Sequence, residues 1–291
     1  MPPRRPRASA TSLASAGGAD KVNAAGQSHL WIAALLGSAS KVHALLSSGA
    51  QVDLQSLKGT SPLWAACSRG HVEVVRDLLA AGAKVDLCDN NGDTPLLIAC
   101  REGHMEVMRA LLFAGAEVDL QASNGNSPLS MAASFGDPVM VRALLAAEAT
   151  PDLQDKDGVS PLLAAARNGH VHVVRALLSA GGQASLSDHN GVSPLFAVCQ
   201  NGGGAQLVRA LLTGGATVDL RNRRGASPLY IACFHGHLAE ARALLAAGAE
   251  VDLQDDEGHS PLWAACCAGQ MEALGVLLAA GARVDLQVGG G

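Results

Sequence analysis

Apolar residues along this chain come in short bursts at helical spacing, each closed by glycine, and the bursts recur. Between positions 61 and 70, Leu63, Ala65, Ala66 and Cys67 form a first cluster that stops at Gly70. Val72, Val75, Leu78 and Leu79 follow as one helical stripe and stop at Gly82. The pattern predicts two short helices joined by a tight turn. Ser61 is placed to cap the first through its hydroxyl, and Pro62, with its φ preset and no N–H to satisfy, suits the first helical position. Beyond Gly82, Val85-Asp86-Leu87 reads as extended and Asp89-Asn90-Asn91-Gly92 as a turn.

The whole block repeats. A Ser/Thr-Pro-Leu tripeptide begins at Ser61, Thr94, Ser127, Ser160, Ser193, Ser227 and Ser260, with spacings by subtraction of 33, 33, 33, 33, 34 and 33 residues. A degenerate copy, Ser28-His29-Leu30, lies 33 residues before Ser61. Residues 89–121 then follow, almost position for position, the pattern Asp-x-x-Gly-x-Thr-Pro-Leu-His-x-Ala-Ala-x-x-Gly-His, a Val/Leu-rich helix and Gly-Ala. In this the sequence closely resembles the ankyrin-repeat family. The resemblance covers about 24–288 and implies an all-α repeat solenoid of about eight stacked units, each a helix-turn-helix plus a β-hairpin loop, with a concave face. Units are expected to start near 24, 56, 89, 122, 155, 188, 222 and 255. Residues 1–23 are expected to form a disordered tail, and 289–291 a flexible C-terminus.

Several positions depart from the family pattern. Its His after Thr-Pro-Leu, which ties neighbouring units by hydrogen bonds, is replaced by Trp64, Leu97, Ser130, Leu163, Phe196, Tyr230 and Trp263, so apolar packing is expected to take over that link. Glu148 stands where a helix-ending Gly belongs, Pro151 replaces Val, Gly181-Gly182-Gln183-Ala184-Ser185 replaces Gly-Ala-x-Val-Asp, and the unit from Ser193 carries an insertion at Asn201-Gly202-Gly203-Gly204. Glu where φ > 0 is wanted costs about 1 kcal/mol, and each extra Gly roughly 0.5 to 1 kcal/mol in chain entropy. Residues 148–204 are therefore expected to be the weakest part of the array, opening first as the chain unfolds in more than one step.

Composition narrows the function. Only 16% of the 291 residues are charged and the net charge is -5, which leaves a phosphate backbone no general attraction; nucleic acid is not an expected partner. No apolar run approaches the roughly 18 to 20 residues that span a bilayer, so membrane insertion is not expected either. Cys67, Cys100, Cys199, Cys233 and Cys266 recur at one repeat position, where stacked units hold neighbours roughly 10 Å apart, too far for disulfides. They read as reduced, buried small residues, suited to a cytoplasmic or nuclear protein. The Arg- and Ser-rich first 23 residues also fit an organelle transit peptide, the less favoured reading.

Candidate chemistry dissolves into the repeat. His71, His104, His170 and His237 sit on the Gly-His turn, where the simplest role is a helix-start hydrogen bond. The Asp series at 53, 86, 119, 152, 219, 252 and 285 is periodic too and fits hairpin backbone groups. Gly202-Gly203-Gly204 lacks the Lys-Ser/Thr of a phosphate loop, and Cys266-Cys267 lacks a second pair for zinc. No catalytic residue, cofactor or metal is expected.

A binding role rests on the positions that the repeat leaves free: hairpin tips and inner-helix ends, which in the family line the concave surface. The tips are Asn90, Asn91, Asp93, Asn124, Asn126, Lys156, Asp157, His189, Asn190, Arg223, Arg224, Asp256 and Glu257. The helix ends are Arg101, Glu102, Phe135, Arg167, Asn168, Phe234 and His235. Phe135 and Phe234 stand out as large apolar side chains among polar equivalents, candidate anchors if they do not pack against a hairpin. Trp64, Tyr230 and Trp263 lie nearer the unit interface and are expected to pack there. The chain reads as a non-enzymatic scaffold or adaptor for one or more partner proteins. The alternative is a substrate-recruiting or targeting subunit of a ubiquitin-ligase- or phosphatase-type complex, or a fragment of a larger ankyrin-repeat protein. The last unit, with Leu274, Leu277 and Leu278 and no polar cap after it, is expected to fray or to self-associate.

Overall fold

The computed structural model of the protein describes residues 20–286. Helices alternate between two layers. The inner layer is α1 (His29–Leu35), α3 (Pro62–Cys67), α5 (Pro95–Arg101), α7 (Pro128–Phe135), α9 (Pro161–Arg167), α11 (Pro194–Asn201), α13 (Pro228–His235) and α15 (Pro261–Cys267). The outer layer is α2 (Ala39–Ser47), α4 (Val72–Ala80), α6 (Met105–Phe113), α8 (Pro138–Ala146), α10 (Val171–Ser179), α12 (Ala205–Thr213), α14 (Leu238–Ala246) and α16 (Met271–Ala279). Each helix packs on its own pair mate, each inner helix on its inner neighbours, and the outer helices on theirs except across the looser junction between α6 and α8. One apolar core runs continuously from Leu30 to Ala282.

The predicted caps form. In every unit the Ser or Thr hydroxyl, from Ser28 to Ser260, accepts the N–H three residues on; Ser61 takes Trp64 N at 3.1 Å. The expected β-hairpins are hairpin turns: no strand forms among the described residues, and each tip closes on a backbone bond such as Asp89 N to Asp93 O at 3.1 Å. Adjacent tips are joined by another, as in Asn90 N to Lys58 O and Lys156 N to Asn124 O.

The links between units are polar as well as apolar, which corrects the expectation that packing alone replaces the missing His. The Asp series reaches forward: Asp53 accepts Lys84 N at 3.0 Å, Asp152 accepts Gln183 N at 2.9 Å and Asp252 accepts Arg283 N at 3.0 Å, each 31 residues on. Ser185, the departure from this series, does the same work through its hydroxyl, which accepts Thr217 N at 2.9 Å. Nor do the turn histidines cap their own helices. His71, His170 and His237 reach back, His71 donating through Nε2 to Leu35 O at 3.1 Å, His170 to Ser134 O at 3.0 Å and His237 through Nδ1 to Cys199 O at 2.8 Å. The turn glycine of the preceding unit faces the ring and is required for two reasons: Gly136 has φ +79°, and a Cβ there would lie 2.5 Å from the His170 ring. At the first junction Trp31 Nε1 donates to Thr60 Oγ1 at 3.1 Å.

Four expectations need correction or limits. The expected tail at 1–23 lies outside the described residues through position 19, but Asp20 already accepts Gln51 N at 2.8 Å, so the pattern of links starts before the boundary at 24. The expected flexible 289–291 also lies outside the described residues. Cys266 is exposed, unlike its equivalents, because among the described residues no further inner helix covers α15; Cys267 and Cys88 are exposed as well. On the same end, Met271 and Leu278 are 75% and 49% exposed. Glu240, which the outer-helix position suggests is solvent-facing, is buried: the inserted Gly204 begins α12 with a free N–H, and Glu240 Oε1 accepts it at 2.6 Å.

Three outcomes are expected. Glu148 is the non-glycine residue at positive φ, +66°, where the other units have Gly at +84° to +90°; Glu148→Gly should raise unfolding free energy by about 1 kcal/mol, read by urea denaturation. Glu240→Ala, which strips the Gly204 N–H of its buried acceptor, should lower it by about 1 to 3 kcal/mol in the same assay. Burial pushes the Cys233 thiol up to about 12 and also raises those of Cys67, Cys100 and Cys199 well above the ordinary thiol range. A thiol reagent at neutral pH should therefore modify Cys88, Cys266 and Cys267 in the native protein and reach the buried four only after denaturation.

Candidate protein-interaction face

The hairpin tips and the C-terminal ends of the inner helices fall on positions that packing leaves open. Asn90, Asn91, Glu102, Asn124, Lys156, Asp157, Asn168, His189 and Asn190 are exposed, as are Arg223, Arg224, His235, Asp256 and Glu257. Phe135 is 61% exposed and Phe234 39%. Both lie at the last turn of an inner helix that ends in a left-handed glycine, Gly136 or Gly236.

Other candidates are tied down. Asp93 is buried, and Arg101 donates to its carboxylate at 2.7 Å. Arg167 makes the corresponding reach across a junction, to the buried Asp188 at 2.5 Å. The acids fix these half-buried guanidinium groups over the inner helices, so Arg101 and Arg167 present an edge rather than a free cation. Asn126 is half-buried behind its tip, and Asn168 donates to Ser134 O and Ala164 O.

The units from 188 onward gather the remaining features in one cleft of about 690 Å³. Asn190 and Gln200 form its near wall, Arg223 and Arg224 rise from the next tip, and Asp255, Glu257 and His259 from the last. Its floor is aromatic: Phe196 is buried, while Tyr230, Phe234 and Trp263 show part of their rings. His259 stacks on Trp263 with centroids 3.6 Å apart, and its Nδ1 lies 3.5 Å from Asp255 and 3.6 Å from Glu257. Burial raises the Tyr230 phenol above its usual range, helped by the negative charges of Asp255 and Glu257 and a hydrogen bond to Asp255. Burial, then the neighbouring His237, lowers His235.

Sequence reasoning placed Phe234, Arg223, Arg224 and Glu257 on this face but assigned Tyr230 and Trp263 to packing. The structure gives both rings a half-exposed position in the cleft. The signal was their size at the slot after Ser-Pro-Leu, where Leu97 and Leu163 are buried. Trp64 does pack against the core. A second residue went unnoticed: Phe113, 96% exposed on the outer layer, occupies the repeat position of Ala80, Ala146, Ser179, Thr213 and Ala246.

Stacked helix pairs with projecting turns and one free face define a repeat protein. The family model "Ankyrin repeats (3 copies)" matches residues 30–122, 129–221 and 195–288, and the chain belongs to the ankyrin-repeat family. It is similar to a crystal structure of the ankyrin repeat domain of Bcl-3, described as a unique member of the IkappaB protein family. The two are 29% identical with a TM-score of 0.67, over 76% of this chain and 99% of that one. No curated protein matches the sequence. Among the described residues no helix is long and apolar enough to cross a membrane, and no group of three His, Cys, Asp or Glu is placed to hold a metal ion.

Proposed function

We propose that the chain is a non-enzymatic scaffold or adaptor whose partner protein docks along the face formed by hairpin tips and inner-helix ends, centred on the cleft between Asn190 and Trp263. The observation that carries this reading is that cleft's make-up. Half-exposed aromatic rings, which bury large area at small conformational cost, sit between a wall with Arg223 and Arg224 and a wall with Asp255 and Glu257. Phe135, three units earlier on the same face, supplies a second apolar anchor. A stable complex covers about 800 Å² per partner, which spans roughly three or four units, so contacts should run from the cleft back across the tips at 124 and 156. The buried thiols and the absence of disulfide pairing support a reducing compartment, cytoplasm or nucleus.

The test is to identify a partner by affinity capture with the full chain and then measure its affinity for variants. Phe234→Ala should weaken binding by about 30-fold or more, equivalent to about 2 kcal/mol, and Arg223→Glu should weaken it while changing its salt dependence. Glu73→Ala, on the exposed side of α4, should leave affinity within about twofold. Loss of binding in Glu73→Ala with full affinity in the folded Phe234→Ala, Phe135→Ala and Arg223→Glu proteins would place the interface elsewhere.

A further inference from the structure

The outer layer carries a charge pattern that the stack does not use. One repeat position places Arg76, Arg109, Arg142, Arg175, Arg209 and Arg242 on successive outer helices, all exposed. On α4 and α6 acids accompany them: Glu73 and Asp77 lie on α4, and Arg109 lies 3.8 Å from Glu106. On α8, α10, α12 and α14 the acids stop. The position three residues before each arginine is Val139, His172, Gln206 or Ala239, and the acid within these four helices, Glu240, is buried with its carboxylate on Gly204 N. Of the acids flanking them, Asp137 caps α8 through Val139 N and Met140 N, and Glu148 lies past its far end. None of Arg142, Arg175, Arg209 or Arg242 makes an ion pair among the described residues. A chain of net charge -5 thus holds four unpaired guanidinium groups in a row on one face.

Between these helices run two shallow grooves. One of about 680 Å³ separates α10 from α12 and is edged by Arg175 and Arg209; one of about 470 Å³ separates α12 from α14 and is edged by Arg209 and Arg242. Small residues such as Ser179, Thr213 and Gly214 line them, so a polypeptide backbone can come close to the guanidinium groups. We propose that this outer face is a second docking surface, separate from the cleft, and that its occupant is an extended acidic polypeptide segment crossing the outer helices. Charge complementarity selects the occupant. Spacing selects its pattern. Packed helices lie about 8 to 10 Å apart, and an extended chain in the polyproline II conformation has three residues per turn at about 3.1 Å each, so carboxylates at every third residue fall on one face and meet one arginine per unit.

The experiment uses the full chain and two fluorescent peptides of equal length and composition, one with four Glu at every third position and one with the four Glu contiguous, read by anisotropy at low and physiological ionic strength. The spaced peptide should bind at least tenfold tighter. Arg175→Glu with Arg209→Glu should remove that binding at least tenfold while circular dichroism stays unchanged, and the milder Arg175→Gln with Arg209→Gln should give a smaller loss of the same sign. Phe234→Ala should leave it intact, which separates this surface from the cleft. Equal binding of the two peptides, tighter binding of a single-stranded oligonucleotide of the same charge, or full affinity in the folded double variants would overturn the proposal.

Discussion

Close approach between neighbouring units is the constraint on which this structure depends. A pair of helices of six to nine residues cannot bury its own apolar stripe, so each unit is stable only against the next. Approach is possible because the inner helices present Ala65 and Ala66, Ala132 and Ala133, or Ala164 and Ala165 to one another, and because glycine at the turns leaves room for a ring from the following unit. The aromatic content of 3% follows from the same requirement. Large rings are admitted where a unit meets solvent, as at Phe135, Tyr230 and Trp263, or where the slot is deep, as at Phe196.

Once units are close, their backbones must be satisfied, and short polar side chains do this across each junction. Asp, or Ser185 in one unit, accepts an N–H from the following loop; a turn His donates to the preceding inner helix. Gln55, Gln121 and Gln154 each donate both to their own tip and to the next unit, as with Gln121 to Gly125 O and, at 2.9 Å, to Gln154 O. Different residues fill one geometric role, so the array tolerates the departures clustered between 148 and 204. The insertion at Gly202-Gly203-Gly204 is met by Glu240, and the loss of Asp at 185 by a hydroxyl. Glu148 has no such remedy, because its strain is in its own φ.

Function is left to whatever these roles do not consume. On the tip and inner-helix side, Asp93 and Asp188 are spent on holding Arg101 and Arg167, whereas Arg223 and Arg224 face the cleft. The two layers therefore offer surfaces of different character: an aromatic cleft with opposite charges on its walls, and an outer row of guanidinium groups. Neither requires the core to change.

The fold was legible in the sequence because its determinants are local and periodic. Caps at Ser61 and its equivalents, the Pro that follows, the glycine stops and the helical stripes each specify conformation within a few residues, and their recurrence at 33 or 34 residues sets the architecture. Candidate anchors were legible for the same reason, as Phe135 and Phe234 break a periodic pattern. Burial was not. Glu240, Tyr230 and Cys266 occupy repeat positions whose equivalents behave differently, and the difference comes from what the adjoining unit presents: a free Gly204 N–H beside Glu240, a cleft beside Tyr230, no further described helix over Cys266; Asp93 is held by Arg101 of its own unit. A repeat determines where a side chain sits within its unit, but exposure and pairing depend on contacts 31 to 36 residues away, which only the stacked structure decides.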